Sequence, residues 1–164
     1  MALRGVLVGD SQLKRLCRSR LRLRPSVETC TFSFSGYDAV RLASAVRRIN
    51  LLRADFCVVY VGGNDISRPN TSPQEICDNI KALVLQLLRD VAPVVLVVKV
   101  LPRWFITADA EVSRSWLNRR HLLNRKLTAT LKRMPSVFIL NPDVSTDMLV
   151  LLYAFGVNSA QKGE

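Results

Sequence analysis

Gly5-Val6-Leu7-Val8-Gly9-Asp10-Ser11-Gln12-Leu13-Lys14-Arg15-Leu16-Cys17 is the stretch on which the reading of the fold turns. Gly5 to Val8 is a short apolar run, Gly9-Asp10-Ser11 reads as a tight turn, and Gln12 to Cys17 reads as the start of a basic helix. Strand, turn and helix in immediate succession form the unit of an α/β fold. Working outward, the unit recurs. Val27 to Phe34 is rich in β-branched and aromatic residues and stops at Ser35-Gly36, which predicts a second strand. Asp38 is placed to cap a helix whose apolar residues Ala39, Leu42, Ala43, Val46, Ile49 and Leu52 follow helical spacing. Asp55 to Val61 reads as a buried strand, with Gly62-Gly63-Asn64-Asp65 as the loop at its carboxyl end.

The second half continues the alternation. Ser72-Pro73-Gln74-Glu75 has the capping-box arrangement, an N-cap serine, a proline at the first helical position and a glutamate three residues after the cap. The helix it opens carries one apolar stripe, Ile76, Ile80, Leu83, Val84, Leu87, Leu88 and Val91, and Pro93 marks its end. Val94 to Leu101 then predicts a strand, Pro102 to Asp109 a loop, Ala110 to Arg133 a long basic helix, and Val137 to Leu140 a short fifth strand. This order predicts a three-layer α/β/α sandwich around a parallel sheet of about five strands, in a single domain spanning residues 1–164. In such sheets ligands bind beyond the carboxyl ends of the strands. Ser11, Gly36, Asn64 and the segment around Arg103 are therefore the places to look for chemistry.

Composition narrows the class. The 164 residues are 49% hydrophobic and 23% charged, with seven glycines and seven prolines, which describes an ordinary globular chain and excludes disordered, collagen-like and coiled-coil classes. No apolar stretch, Val91 to Val98 included, approaches the roughly 20 residues a spanning helix needs. The first residues carry no signal-peptide pattern, so an intracellular, cytoplasmic setting is expected. Cys17, Cys30, Cys57 and Cys77 are too widely spaced for a metal or redox pair, and with one histidine, His121, neither metal nor other cofactor is expected.

Twenty-four Lys and Arg against 13 Asp and Glu give a net charge of +11, which favours polyanionic partners, nucleic acid first. Lys14, Arg15, Arg18, Arg20, Arg22 and Arg24 crowd one segment. Arg114, Arg119, Arg120, Arg125, Lys126, Lys132 and Arg133 mark the long helix, with no acidic residue among them. A solvated helix face and a phosphate-binding face both fit; on the second reading Arg119, Arg120 and Arg125 are the candidate contacts.

Taken alone, Gly9-Asp10-Ser11 equally fits a turn with an N-cap. With Gly36 and Gly62-x-Asn64-Asp65 in order after the next two strands, it resembles the SGNH (GDSL-like) hydrolase family over about Gly5 to Arg103. The resemblance implies Ser11 as nucleophile, Gly36 and Asn64 as oxyanion-hole donors, Gly9, Asp10, Gly62 and Asp65 as supporting motif residues, and a small ester as substrate. A serine where a strand turns into a helix exposes its Oγ beside the positive end of the helix dipole. A carboxamide can donate to a developing oxyanion, an effect typically worth roughly 10²–10³ in rate.

The family's last block is an Asp-x-x-His, and this chain has none. Phe155-Gly156-Val157-Asn158 looks like that block with Phe155 in place of the aspartate and Asn158 in place of the histidine, which implies a degenerate C-terminal portion from about residue 141. His121 sits among Asn118, Arg119 and Arg120 and reads as a surface histidine. Val94 to Trp104 is also similar to SGNH domains carried by first-open-reading-frame proteins of some animal non-LTR retrotransposons, which work on element RNA. Two expectations follow: an impaired serine esterase, or a non-catalytic SGNH-like module binding nucleic acid or a protein through its basic surface.

Overall fold

The parallel pairing runs without interruption from one side of the sheet to the other. The computed structural model describes residues 3–14, 27–48, 53–102 and 109–141. Its strands are β1 (Leu3–Asp10), β2 (Val27–Phe34), β3 (Phe56–Tyr60), β4 (Val95–Val98) and β5 (Val137–Leu140), in the spatial order β2-β1-β3-β4-β5. Every neighbouring pair is parallel. The chain leaves β1 for one side of the sheet and returns to β3 on the other. The crevice between β1 and β3 is thus the topological switch point, where such folds bind ligands.

Helices α1 (Ala39–Arg48), α3 (Pro73–Asp90) and α4 (Ala110–Leu131) bury their apolar stripes in one core with Val6, Val8, Cys57, Val59, Val95 and Val97. The alternate residues Leu7, Phe56, Val58, Tyr60, Leu96 and Val98 face the other way and pack with Leu13 of a helical turn at residues 11–14. Strands β3 and β4 are buried on both faces, which is why their sequences are continuous apolar runs rather than alternating ones. The expected α/β fold with a five-stranded parallel sheet holds; among the described residues the long helices cover one face of the sheet and the turn at residues 11–14 packs on the other.

The boundaries of several elements differ from the sequence reading for identifiable reasons. β1 extends beyond the apolar run because pairing continues to Asp10, opposite Phe34. β3 is one residue shorter at each end than Asp55 to Val61. β4 ends at Val98, three residues before Leu101: the Val100 N–H and carbonyl bond to the Asn124 side chain, and the Leu101 N–H to the Tyr60 hydroxyl. The Gly62–Asp65 segment contains one turn of helix, α2 (Gly63–Ile66), closed by a bond from the Ile66 N–H to the Gly62 carbonyl at 3.0 Å. The long basic helix stops at Leu131, and residues Ile49 and Leu52 lie outside those described.

Capping was read correctly. The Ser72 side chain accepts from the Glu75 N–H at 3.1 Å with Pro73 in the first turn of α3, and Asp38 Oδ1 accepts from the Arg41 N–H at 2.8 Å. Cys57 and Cys77 are buried, and burial pushes the Cys57 thiol up to about 12, so it stays protonated and inert. Cys30 is exposed on β2. Among the described residues no helix is long and apolar enough to cross a membrane.

Candidate functional site

Parallel register decides which loops meet. Gly9 stands opposite both Ser33 and Tyr60, so β1, β2 and β3 finish at the same level and the segments that follow share one edge. Ser11 begins the helical turn after β1 and is exposed. Gly36 follows β2 at φ 75°, a left-handed backbone that favours glycine, and a Cβ there would meet nothing within 4 Å. Asn64 lies in α2, two residues after Gly62, whose φ is 120°. At Gly9 the need is space: an added Cβ would come within 2.5 Å of the Tyr60 carbonyl.

The Asn64 carboxamide joins these segments. Its Nδ2 donates to the Tyr37 carbonyl at 3.0 Å and reaches Asp10 Oδ2 at 3.5 Å, tying the loop after β3 to the ends of β1 and β2. Asp10 is fully buried. Its Oδ1 accepts from the Gln12 N–H at 2.8 Å and its carbonyl from Ser33 Oγ at 3.0 Å, so it braces the turn that presents Ser11. The 3.5 Å contact from Asn64 to Asp10 is longer than that to Tyr37 and at the limit of a hydrogen bond. That N–H is the one a bound acceptor would recruit at least cost.

Asp65 supports the same edge from beneath. Buried, it accepts from the Ala39 N–H through both carboxylate oxygens, at 3.2 and 3.3 Å, and so caps α1 from a different element. Asp38 pairs with Arg68 at 2.5 Å. Burial pushes the Asp65 carboxyl up to about 6; the negative charge of Asp38 adds to this, while the Ala39 N–H and Arg68 oppose it. Because the folded state holds this proton more tightly than the unfolded chain, its contribution to stability falls as pH rises from about 4 to 6 and stays lost above. Asp65→Asn is therefore expected to gain stability over the parent through that window, reaching about 3 kcal/mol by pH 7–8 at 1.36 kcal/mol per unit. Urea unfolding at pH 4.5 and 7.5 checks this: a difference independent of pH would mean that Asp65 does not titrate in this range.

The basic residues are placed less simply than a solvated helix face would have them. Arg119 donates to the carbonyls of Ile66 at 2.5 Å, Arg68 at 2.9 Å and Thr71, binding the segment after α2 to α4. Arg120 is buried, and its Nε donates to the Val100 carbonyl at 2.6 Å. Both guanidinium groups are engaged by backbone, whereas Arg125 is exposed. The signal was present in the spacing: Trp116, Leu123, Leu127 and Leu131 form the buried stripe of α4, and Arg120 and Asn124 fall within it. His121 is exposed on α4 and lines a cavity that does not include Ser11. Phe155, Asn158 and Arg103 lie outside the described residues.

No protein-family model matches the sequence, and no curated protein matches it. Solved structures do match. A GDSL-like lipase from Bacteroides thetaiotaomicron aligns with a TM-score of 0.63 at 16% identity, over 84% of this chain and 67% of that one. The OSK domain of Drosophila Oskar aligns at 0.56 and 16% identity, over 82% of this chain and 62% of that one. Axe2, an acetylxylan esterase from Geobacillus stearothermophilus, gives 0.51 at 12% identity, over 77% and 72%. The chain thus spans about two-thirds of the length of these structures. What they share with it is the fold, the SGNH (GDSL-like) hydrolase fold that the sequence motifs imply.

Proposed function

We propose that this chain, with its SGNH hydrolase fold, binds the carbonyl of a small ester at the β1–β3 crevice and hydrolyses it slowly through Ser11. The observation that carries the reading is the Asn64 carboxamide, which reaches both the Tyr37 carbonyl and Asp10 and gathers Ser11, Gly36 and Asn64 at one edge. Ser11 Oγ would attack the carbonyl carbon. The developing oxyanion would take donors from the Ser11 and Gly36 backbone and the Asn64 amide. The acyl group would pass to Ser11 and then to water, with loss of the alcohol.

Turnover is limited by the proton on Ser11. The chain's one histidine stands on α4, at a cavity apart from Ser11, so no imidazole is assigned to accept it. Hydrolases that lose one triad member retain about 10³–10⁴-fold catalysis over water. A trace of p-nitrophenyl acetate hydrolysis above buffer is expected, lowered by Ser11→Ala to the part that binding and the oxyanion hole supply without a nucleophile, with slow fluorophosphonate labelling of Ser11. Equal rates for parent and variant would reject Ser11 as nucleophile. Rapid stoichiometric labelling would instead show that a base reaches it. The names of the matched lipase and acetylxylan esterase favour the esterase reading; the missing histidine favours a module that binds without turnover.

A further inference from the structure

Lys99 and Asn141 directly follow β4 and β5, on the same carboxyl edge as Ser11 but two and three strands away. At about 4.8 Å per strand, this is roughly 10–15 Å from the Ser11 crevice. Between these two residues and α4 lies a cavity of about 730 Å³. Lys99, His121, Arg125, Lys126 and Lys132 contribute to its walls, and among the described residues no acidic one does. Lys126 is held by Gln74 Oε1 at 2.8 Å. The ion pairs among the described residues, Arg68 with Asp38 and Arg89 with Asp90, lie elsewhere.

Two features give the ligand its chemistry. Cations cluster in a concave site whose described lining holds no carboxylate, and there their potentials add and are screened less than on a convex face. Among the described residues the lining also has no Phe, Tyr or Trp on which bases could stack. Positive charge moreover continues past the cavity through exposed Arg114 on α4 and Arg133 just beyond its end, and there is no acidic residue from Val112 to Asn141. A compact anion would use only the cavity; an extended polyanion would use the cavity and the stripe.

We propose that this groove binds the phosphodiester backbone of single-stranded nucleic acid, without base specificity, at a site separate from the Ser11 crevice. Arg125, Lys132 and Lys99 make the phosphate contacts. Arg119 and Arg120, engaged by backbone carbonyls, position α4 instead. A flexible single strand can follow such a concave surface. The site does not depend on esterase activity, so Ser11→Ala should bind like the parent.

The test uses a fluorescein-labelled 20-mer of uridine and fluorescence anisotropy from 50 to 300 mM KCl. Arg125→Ala with Lys132→Ala should weaken binding by about tenfold at 100 mM salt and reduce the log–log salt slope by about 1.4, at roughly 0.7 per phosphate contact. Arg47→Ala with Arg48→Ala, on α1, removes equal charge from exposed positions and should change affinity less than twofold. Bound 20-mer should also protect Lys99 and Lys132 from acetylation, but not exposed Lys81 on α3, a readout that needs no variant. Equal weakening by the two double variants would overturn the proposal, as would unprotected Lys99 and Lys132. Displacement by pyrophosphate as efficient, per phosphate, as by unlabelled 20-mer would make the ligand a compact phosphate. Displacement by phosphatidylserine vesicles but not by unlabelled 20-mer would make it a membrane.

Discussion

Asn64→Asp should cost the chain about 3 kcal/mol of stability at pH 8 and remove any Ser11-dependent hydrolysis. The parent amide donates to the Tyr37 carbonyl and reaches Asp10 Oδ2. An ionised carboxylate has no proton to give, so the same geometry would set it against a carbonyl oxygen and a fully buried carboxylate. A lost hydrogen bond costs about 1 kcal/mol, and the repulsion of two poorly solvated carboxylates supplies the remainder. The pair can relieve that repulsion by sharing a proton, so the deficit should shrink as pH falls from 8 to 5. Asn64→Ala lacks the repulsion and should cost only about 1–2 kcal/mol, with no such pH dependence. Urea midpoints for both variants at both pH values decide the matter. An Asn64→Asp midpoint equal to that of the parent would show that the amide does not tie these loops.

The double change Phe155→Asp with Asn158→His should raise ester hydrolysis by at least roughly tenfold, a typical return for a positioned general base being 10²–10⁴. Its basis is the likeness of Phe155-Gly156-Val157-Asn158 to an Asp-x-x-His block, and both positions lie outside the described residues. Asparagine cannot take the Ser11 proton, whereas histidine, with an unperturbed pKa near 6.5, can take it at neutral pH. The new aspartate would hold the imidazole tautomer and stabilise its cation. Asn158→His alone should recover part of the gain, and fluorophosphonate labelling of Ser11 should quicken in parallel. A folded double variant with unchanged hydrolysis and labelling would mean that this segment does not descend from such a block.

Much of the fold was legible because the sequence states it more than once. β2 and β5 match their predicted bounds, and the Ser72 and Asp38 caps open the helices they were expected to open. Local rules suffice there, since a cap and its helix lie within a few residues. Gathering Ser11, Gly36 and Asn64 at one edge needed only the parallel-sheet rule. What escaped was set by partners distant in sequence. After the Lys99 N–H, which still bonds to Leu140, Asn124 and Tyr60 take the backbone groups of Val100 and Leu101 and end β4, and no property of Val94 to Leu101 announces that. Asp65 caps a helix that begins 26 residues earlier, so its burial and raised pKa were invisible from the Gly-Gly-Asn-Asp motif alone. Net charge likewise counted Arg119 and Arg120 as surface, because a tally of cations does not distinguish a guanidinium in water from one bonded to carbonyls.

The Arg119 contacts carry a consequence for how such a chain can change over generations. Its partners are the main-chain carbonyls of Ile66, Arg68 and Thr71, groups that every residue type supplies alike. Those three bonds survive a change of side chain at Arg68 or Thr71, although the Ser67 hydroxyl, which accepts from Trp116 Nε1, and the buried Ile66 also hold the segment, whereas one mutation at Arg119 would release all three bonds together. Robustness in the loop is thereby obtained by concentrating fragility in a single codon. The same economy operates where Asn124 and Arg120 hold Val100 by its backbone. An architecture secured in this manner can retain its shape while its sequence wanders to 16% identity or below, the distance that separates this chain from the lipase and the esterase whose fold it shares.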